Sequence, residues 1–142
     1  MKFDFSLEPV LKVRKHEEKI QKQKLAEKLS QKKIIAKKKQ ELKEKLQAHL
    51  GTADSKDFHN LHDLKRHRRY INSIHKEVEK LNGNLRIVEN AIEQQRDKLA
   101  EVHKKRHIME KIKEEEHELF LEKLSRQQRK MMDEIATQSY SK

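Results

Sequence analysis

Apolar residues recur every seventh position at Leu64, Ile71, Val78, Leu85, Ile92 and Leu99. A second row, Ile74, Leu81, Val88 and Val102, lies three positions after members of the first, with His67 and Gln95 as its polar exceptions. Alternating spacings of three and four place both rows along one narrow seam of an α-helix. A sustained seam of this kind is buried only against another helix. The flanking positions are mostly Lys, Arg, Glu, Asp, Gln and Asn, so the other faces are solvated. The stretch 64–102 therefore predicts one strand of a coiled coil, around which the other elements are arranged.

A first helix precedes it. Ser6 is placed to cap its start, Glu8 suits the positive end of the helix dipole, and Pro9 is tolerated in a first turn. Nothing breaks the pattern from Val10 to about Leu50, a length on the order of 60 Å at 1.5 Å per residue. Its stripe is thin. Leu11, Leu25 and Leu46 share a heptad row with Lys32 and Lys39, and Ile35 and Leu42 lie in the companion row. Lysine stems can cover apolar surface while their charges reach water.

Gly51-Thr52-Ala53-Asp54-Ser55-Lys56-Asp57 is the clearest punctuation. Gly51 is expected to close the first helix in the left-handed conformation, and Asp54 or Ser55 to cap the second. So short a connection favours antiparallel neighbours. The pattern predicts an all-α chain of two long helices forming an antiparallel coiled-coil hairpin, the second longer than the first. Residues 1–142 would make a single rod with a helix at about 6–50, a turn at about 51–57 and a helix at about 56–138. A turn centred near Asp54 would set Leu46 opposite Leu61 or Leu64, and Leu7 near Glu101. Asn82-Gly83-Asn84 is a competing break, which would give three helices. The heptad phase runs through it unchanged, which favours one continuous helix.

Past Val102 the seam is expected to change phase. Arg106 and Lys113 occupy the row that held Leu99, and the apolar stripe moves to Met109, Ile112, Leu119 and Phe120. With the turn near Asp54, a first helix of about 45 residues would run out of partner near Val102. Met109, Ile112, Leu119, Phe120, Leu124, Met131 and Met132 would then lack an internal partner and form a surface for another protein. Tyr70, beside the seam residue Ile71, would be a second, partly exposed contact.

Composition narrows the class. The chain is 42% charged and 33% hydrophobic, with four Phe, two Tyr and no Trp, too few large apolar side chains for a wide core. It has no Cys, which excludes disulfides and thiolate metal sites. No apolar run approaches the roughly 20 residues of a membrane span, and the start lacks the apolar core of a secretory signal, so a soluble, cytoplasmic protein is expected. Of the net charge of +11, residues 1–50 hold +8, from 15 Lys/Arg and 7 Asp/Glu. Binding to nucleic acid through such lysines would be non-specific and would fall steeply with salt.

Catalytic chemistry finds no foothold. The two glycines are 32 positions apart (83 minus 51), so no phosphate-binding loop exists. His103 and His107 share a helix face and His59 lies three residues before His62, but two ligands do not close a metal site. Glu114-Glu115-Glu116 reads as a solvated run. No catalytic residue, cofactor or metal is expected.

Three segments carry a family resemblance. Phe3-x-Phe5-x-Leu7-x-x-Val10-Leu11-x-x-Arg14 resembles the start of the FliJ family of flagellar type III export proteins. Arg69-Tyr70-Ile71-x-x-Ile74 is similar to that family's aromatic-Ile segment. Gln128-x-Lys130-x-Met132-Asp133-Glu134-Ile135-Ala136 is similar to its closing Glu-x-Lys-x-Leu-Asp-Glu pattern, with Gln128 in place of an acid and Met132 in place of an aliphatic residue. The resemblance implies a non-enzymatic coiled-coil stalk that links the hexameric export ATPase to the cytoplasmic domain of the export gate and to export chaperones. It would lie at the cytoplasmic face of the inner membrane, held there through its partners. Tyr70, Ile74, Met109, Ile112, Leu119, Phe120, Met131 and Met132 are the candidate contact residues. A basic coiled-coil scaffold, or a protein binding nucleic acid without sequence preference, is the alternative.

Overall fold

The computed structural model describes residues 2–52 and 60–140. Two helices account for nearly all of them, α1 over Glu8–Thr52 and α2 over Leu61–Tyr140. They pack closely in antiparallel fashion, as a hairpin with the longer helix second. Most of the expected turn, including Asp54 and Ser55, lies in 53–59, outside the described residues.

The helix ends differ from the expectations. Glu8 N–H donates to the Phe5 carbonyl at 3.1 Å and Leu11 N–H to the Leu7 carbonyl at 3.0 Å. The start of α1 is thus satisfied by backbone, with the helix beginning one turn position too late for Ser6 to cap it. Gly51 is not a left-handed stop: it is helical, and among the described residues no glycine has positive φ. At the other side, Asn60 Oδ1 accepts from Asp63 N–H at 2.8 Å, the geometry of an N-cap. Helix α2 therefore starts at Leu61, several residues later than expected. It runs unbroken through Gly83, as the kept heptad phase favoured.

The chain divides into two units, 21–98 and a second made of 1–20 with 99–142. In 21–98, the seam of α2 follows the two rows read from the sequence from His67 onward, with Ile74, Ile92 and Gln95 buried, whereas Leu64, the first member of the rows, is exposed. On α1 the same seam takes Leu25, Lys28, Lys32, Ile35, Lys39, Leu42, Leu46 and His49, all half-buried. Buried Gln95 is fully engaged: its amide nitrogen donates to the backbone carbonyl and side-chain oxygen of Gln21, and its oxygen accepts from Lys28 Nζ at 3.4 Å. Lys32 pairs with Glu89 at 3.7 Å. These contacts, with His49 stacked on His67, set a register different from the one expected. Leu46 falls level with 70–74 rather than with Leu61 or Leu64. The cause is at the helix ends: α1 continues through Gly51 and α2 waits for Asn60, so the midpoint of the hairpin lies further along the chain.

In the other unit Leu11 and Phe5 are buried, and Phe3 meets Phe120 with ring centroids 5.5 Å apart. Pairing thus reaches Phe120 instead of ending near Val102. Nor does the seam change phase there. Arg106 and Lys113 stay in the row of Leu99 and are matched by acids of α1: Arg106 bonds Glu18, and Lys113 Nζ lies 2.8 Å from Glu8 Oε2. Glu18 is buried and takes a second contact from His103 Nδ1 at 3.1 Å, while Arg106 also reaches Glu110 at 2.7 Å. The apolar stripe stops because ion pairs occupy the seam, not because the seam moves.

Two outcomes test this packing. A Cβ built on Gly83 meets no atom within 4 Å, so Gly83→Ala should raise unfolding free energy by about 1 kcal/mol, measured by urea titration followed by circular dichroism. Glu18→Ala leaves the half-buried Arg106 guanidinium with Glu110 as its acid and should cost about 2 kcal/mol. The double variant Glu18→Leu, Arg106→Leu should come within about 1 kcal/mol of the parent or exceed it, because it removes both charges together. Additive losses in the double variant would show that the pair contributes nothing as a pair.

Candidate partner-binding surfaces

The eight candidate contact residues divide between the units, Tyr70 and Ile74 in 21–98 and the other six in the second. Tyr70 follows His67 by one turn of α2. Its ring leans on His49 of α1 at 4.5 Å and 57°, and His49 in turn stacks on His67 at 4.3 Å and 22°. Level pairing of α1 with α2 brings these three rings together. Tyr70 still has 42% of its surface exposed, above a groove of 350 Å³ that it lines with His49, Asp63, Arg66 and His67. Ile74 is buried in the seam one turn further on.

In the second unit, Met109, Ile112 and Phe120 are half-buried, so they are not free in the way the sequence suggested. The Phe120 ring packs against Phe3, whose edge also meets His117 at 4.8 Å. Phe3, Glu116, Leu119 and Phe120 line an open cleft of 420 Å³ where residues 2–4 cross α2. Leu119, Met131 and Met132 are exposed, and every described residue from Ser125 onward is exposed. Leu121, Ile135 and Tyr140 are exposed in the same stretch. Leu121, Ile135 and Tyr140 were not among the candidates, although Leu121 and Ile135 share a helix face with Leu124 and Met131, as their spacings of three, four and seven show.

The two flanks of this seam differ. Lys15 with Glu110, Glu8 with Lys113, and His103 with Glu18 lace one flank with charge. In an antiparallel pair the positions on the other flank face the same side from both helices. They are Val10 and Glu17 on α1 and Ile112 and Leu119 on α2, with Val13 and Ile108 behind them. Val10, Val13, Ile108 and Leu119 are all exposed large apolar side chains.

Electrostatics support pairing across the seam. The Lys113 ammonium holds the Glu8 carboxyl below its ordinary value, against desolvation, which raises it. A lowered folded value means that this stabilisation is present above the ordinary carboxylate range and is lost as pH falls through the lowered value. Desolvation lowers the Arg106 guanidinium, but its bonds to Glu18 and Glu110 outweigh this and raise it, keeping it charged. Among the described residues, no group of three or more His, Asp or Glu side chains could hold a metal ion. His103 and His107, which share a helix face, stack at 6.2 Å. No helix among the described residues is long and apolar enough to cross a membrane.

No curated protein and no solved structure matches the chain. The model of the family described as "Flagellar FliJ protein" matches residues 2–142. A match over that length accounts for both helices and the stretch before α1, and the chain belongs to the FliJ family of flagellar type III export-apparatus proteins.

Proposed function

We propose that this chain is a non-enzymatic adaptor of flagellar export, connecting the export ATPase ring with the cytoplasmic domain of the export gate and with export chaperones. The observation that carries the reading is the last part of α2, where every described residue from Ser125 onward is exposed and Leu121, Met131, Met132 and Ile135 present apolar side chains to water. An apolar stripe left in water on a soluble helix is a surface for another protein. Methionines suit a contact that must adopt several orientations, because their unbranched chains repack easily. The ATPase ring is the partner assigned to this stretch, together with the apolar flank that includes Ile112 and Leu119. Met109 and Phe120 hold that flank in place from the seam. Tyr70 is assigned to the gate, with Ile74 anchoring α2 beneath it. The protein works in the cytoplasm and reaches the inner membrane's cytoplasmic face with these partners.

Deleting 126–142 should abolish stimulation of the purified export ATPase while leaving gate binding intact. Tyr70→Ala should do the reverse, weakening gate binding about tenfold with little change in melting. Equal ATPase stimulation by the deleted and full chains would remove the assignment of the tail. A large drop in melting temperature for Tyr70→Ala would make its ring a packing element.

A further inference from the structure

We propose that one side of the 21–98 unit docks directly on an anionic phospholipid surface, a contact beyond the adaptor role and independent of its partners. Residues 21–98 carry 20 of the 35 Lys/Arg and 11 of the 24 Asp/Glu, so +9 of the net +11 resides there. The densest part is 32–39, Lys-Lys-Ile-Ile-Ala-Lys-Lys-Lys. Helix geometry sorts it into two sets. Lys32, Ile35 and Lys39 belong to the seam and are half-buried, whereas Lys33, Ile34, Lys37 and Lys38 are exposed. Spacings of three and four gather Ile34 with Lys37 and Lys38 on one face, whereas Lys33, five residues before Lys38, points toward the opposite flank. Among the described residues, no ion pair engages Lys33, Lys37 or Lys38.

This face extends onto α2. A groove of 420 Å³ has Lys38 and Lys45 on one wall and Lys80 and Asn84 on the other, with Glu41 and Glu77 also lining it. Ile34 stands one turn from Lys38 and Ile87 one turn from Asn84, so an isoleucine from each helix marks the same end of the groove. Their exposures are 53% and 68%. The four lysines of this side, Lys37, Lys38, Lys45 and Lys80, outnumber its glutamates, Glu41 and Glu77 in the groove and Glu44 one heptad along from Lys37. A basic field with apolar side chains at its centre matches the boundary between acidic headgroups and acyl chains, where lysines neutralise phosphates and isoleucines leave water. A nucleic-acid backbone would satisfy the lysines but leave both isoleucines in water. The face also offers no aromatic ring on which bases could stack.

The test uses the full chain and sedimentation with vesicles of phosphatidylcholine alone or mixed with phosphatidylglycerol. Binding is expected only to the mixed vesicles, falling as salt is raised. Lys37→Gln/Lys38→Gln/Lys80→Gln should weaken partitioning on the order of 100-fold, at about fivefold per lysine. Ile34→Ser/Ile87→Ser should weaken it too, whereas Lys104→Gln/Lys105→Gln, exposed in the other unit, should leave it unchanged. All substituted side chains are exposed, and circular dichroism confirms that each variant keeps its helices. Equal binding to both vesicle types, or an equal loss with the Lys104/Lys105 variant, would overturn the proposal. So would duplex DNA that binds more tightly than mixed vesicles and responds to the lysine but not the isoleucine variant.

Discussion

A seam between two helices is a single line of side chains, and apolar layers alone hold it in register poorly, since a slip of one heptad replaces one aliphatic contact with another. The polar layers prevent this. Gln95 is buried and bonded to Gln21 and Lys28; Glu18 is buried and bonded to Arg106 and His103. A slip would leave a buried amide or carboxylate without its partner, at about 1–3 kcal/mol for a neutral group and more for a charge. The level pairing of α1 with α2, and hence every surface described above, depends on these contacts. Polar residues at seam positions are a recognised means of fixing register at some loss of stability.

The same residues explain what could be read from the sequence and what could not. The two rows of 64–102 were legible because nearly every member is apolar, and the lysines of α1 could be placed in its seam because Leu11, Leu25 and Leu46 share their row. Arg106 and Lys113 read as the end of the seam, since an isolated charge in a heptad row gives no sign of its partner. Yet Glu18 stands in the Leu11–Leu25 row, so the acid that matches Arg106 was visible on the other helix. The register was lost at the ends. Gly51 outweighed Asn60 as punctuation, although Asn60 with Asp63 three residues on is itself a start signal. Of the candidate contacts, Tyr70, Leu119, Met131 and Met132 are exposed as read. Ile74 is buried, and Met109, Ile112 and Phe120 are half-buried, because pairing reaches further along α2 than a turn near Asp54 allows.

Charge is distributed unevenly between the units. The 21–98 unit holds most of the surplus, in lysines that line its outer faces, whereas in the other unit acids and bases nearly balance and meet as ion pairs across one flank. The positive field of the first surface favours contact with anions. The second unit has its charges matched on one flank and apolar side chains on the other, which suits contact with a folded protein surface. A chain with so little core can present two chemically distinct surfaces because neither has to be built around a pocket.

Level pairing also quantises the length of the chain. Removing seven residues from α1 alone, 28–34 for example, would keep that helix's own faces aligned but shift everything on one side of the cut a heptad out of step with α2. Removing the level segment 86–92 as well would restore every surviving partner. A cut of any other size would rotate the seam away from its mate, by about 100° for a single residue. Insertions and deletions between Asn60 and Phe120 are therefore tolerated only as heptads taken from both helices at the same level. From Ser125 onward, where every described residue of α2 faces water, no such rule applies, and length there can drift one residue at a time.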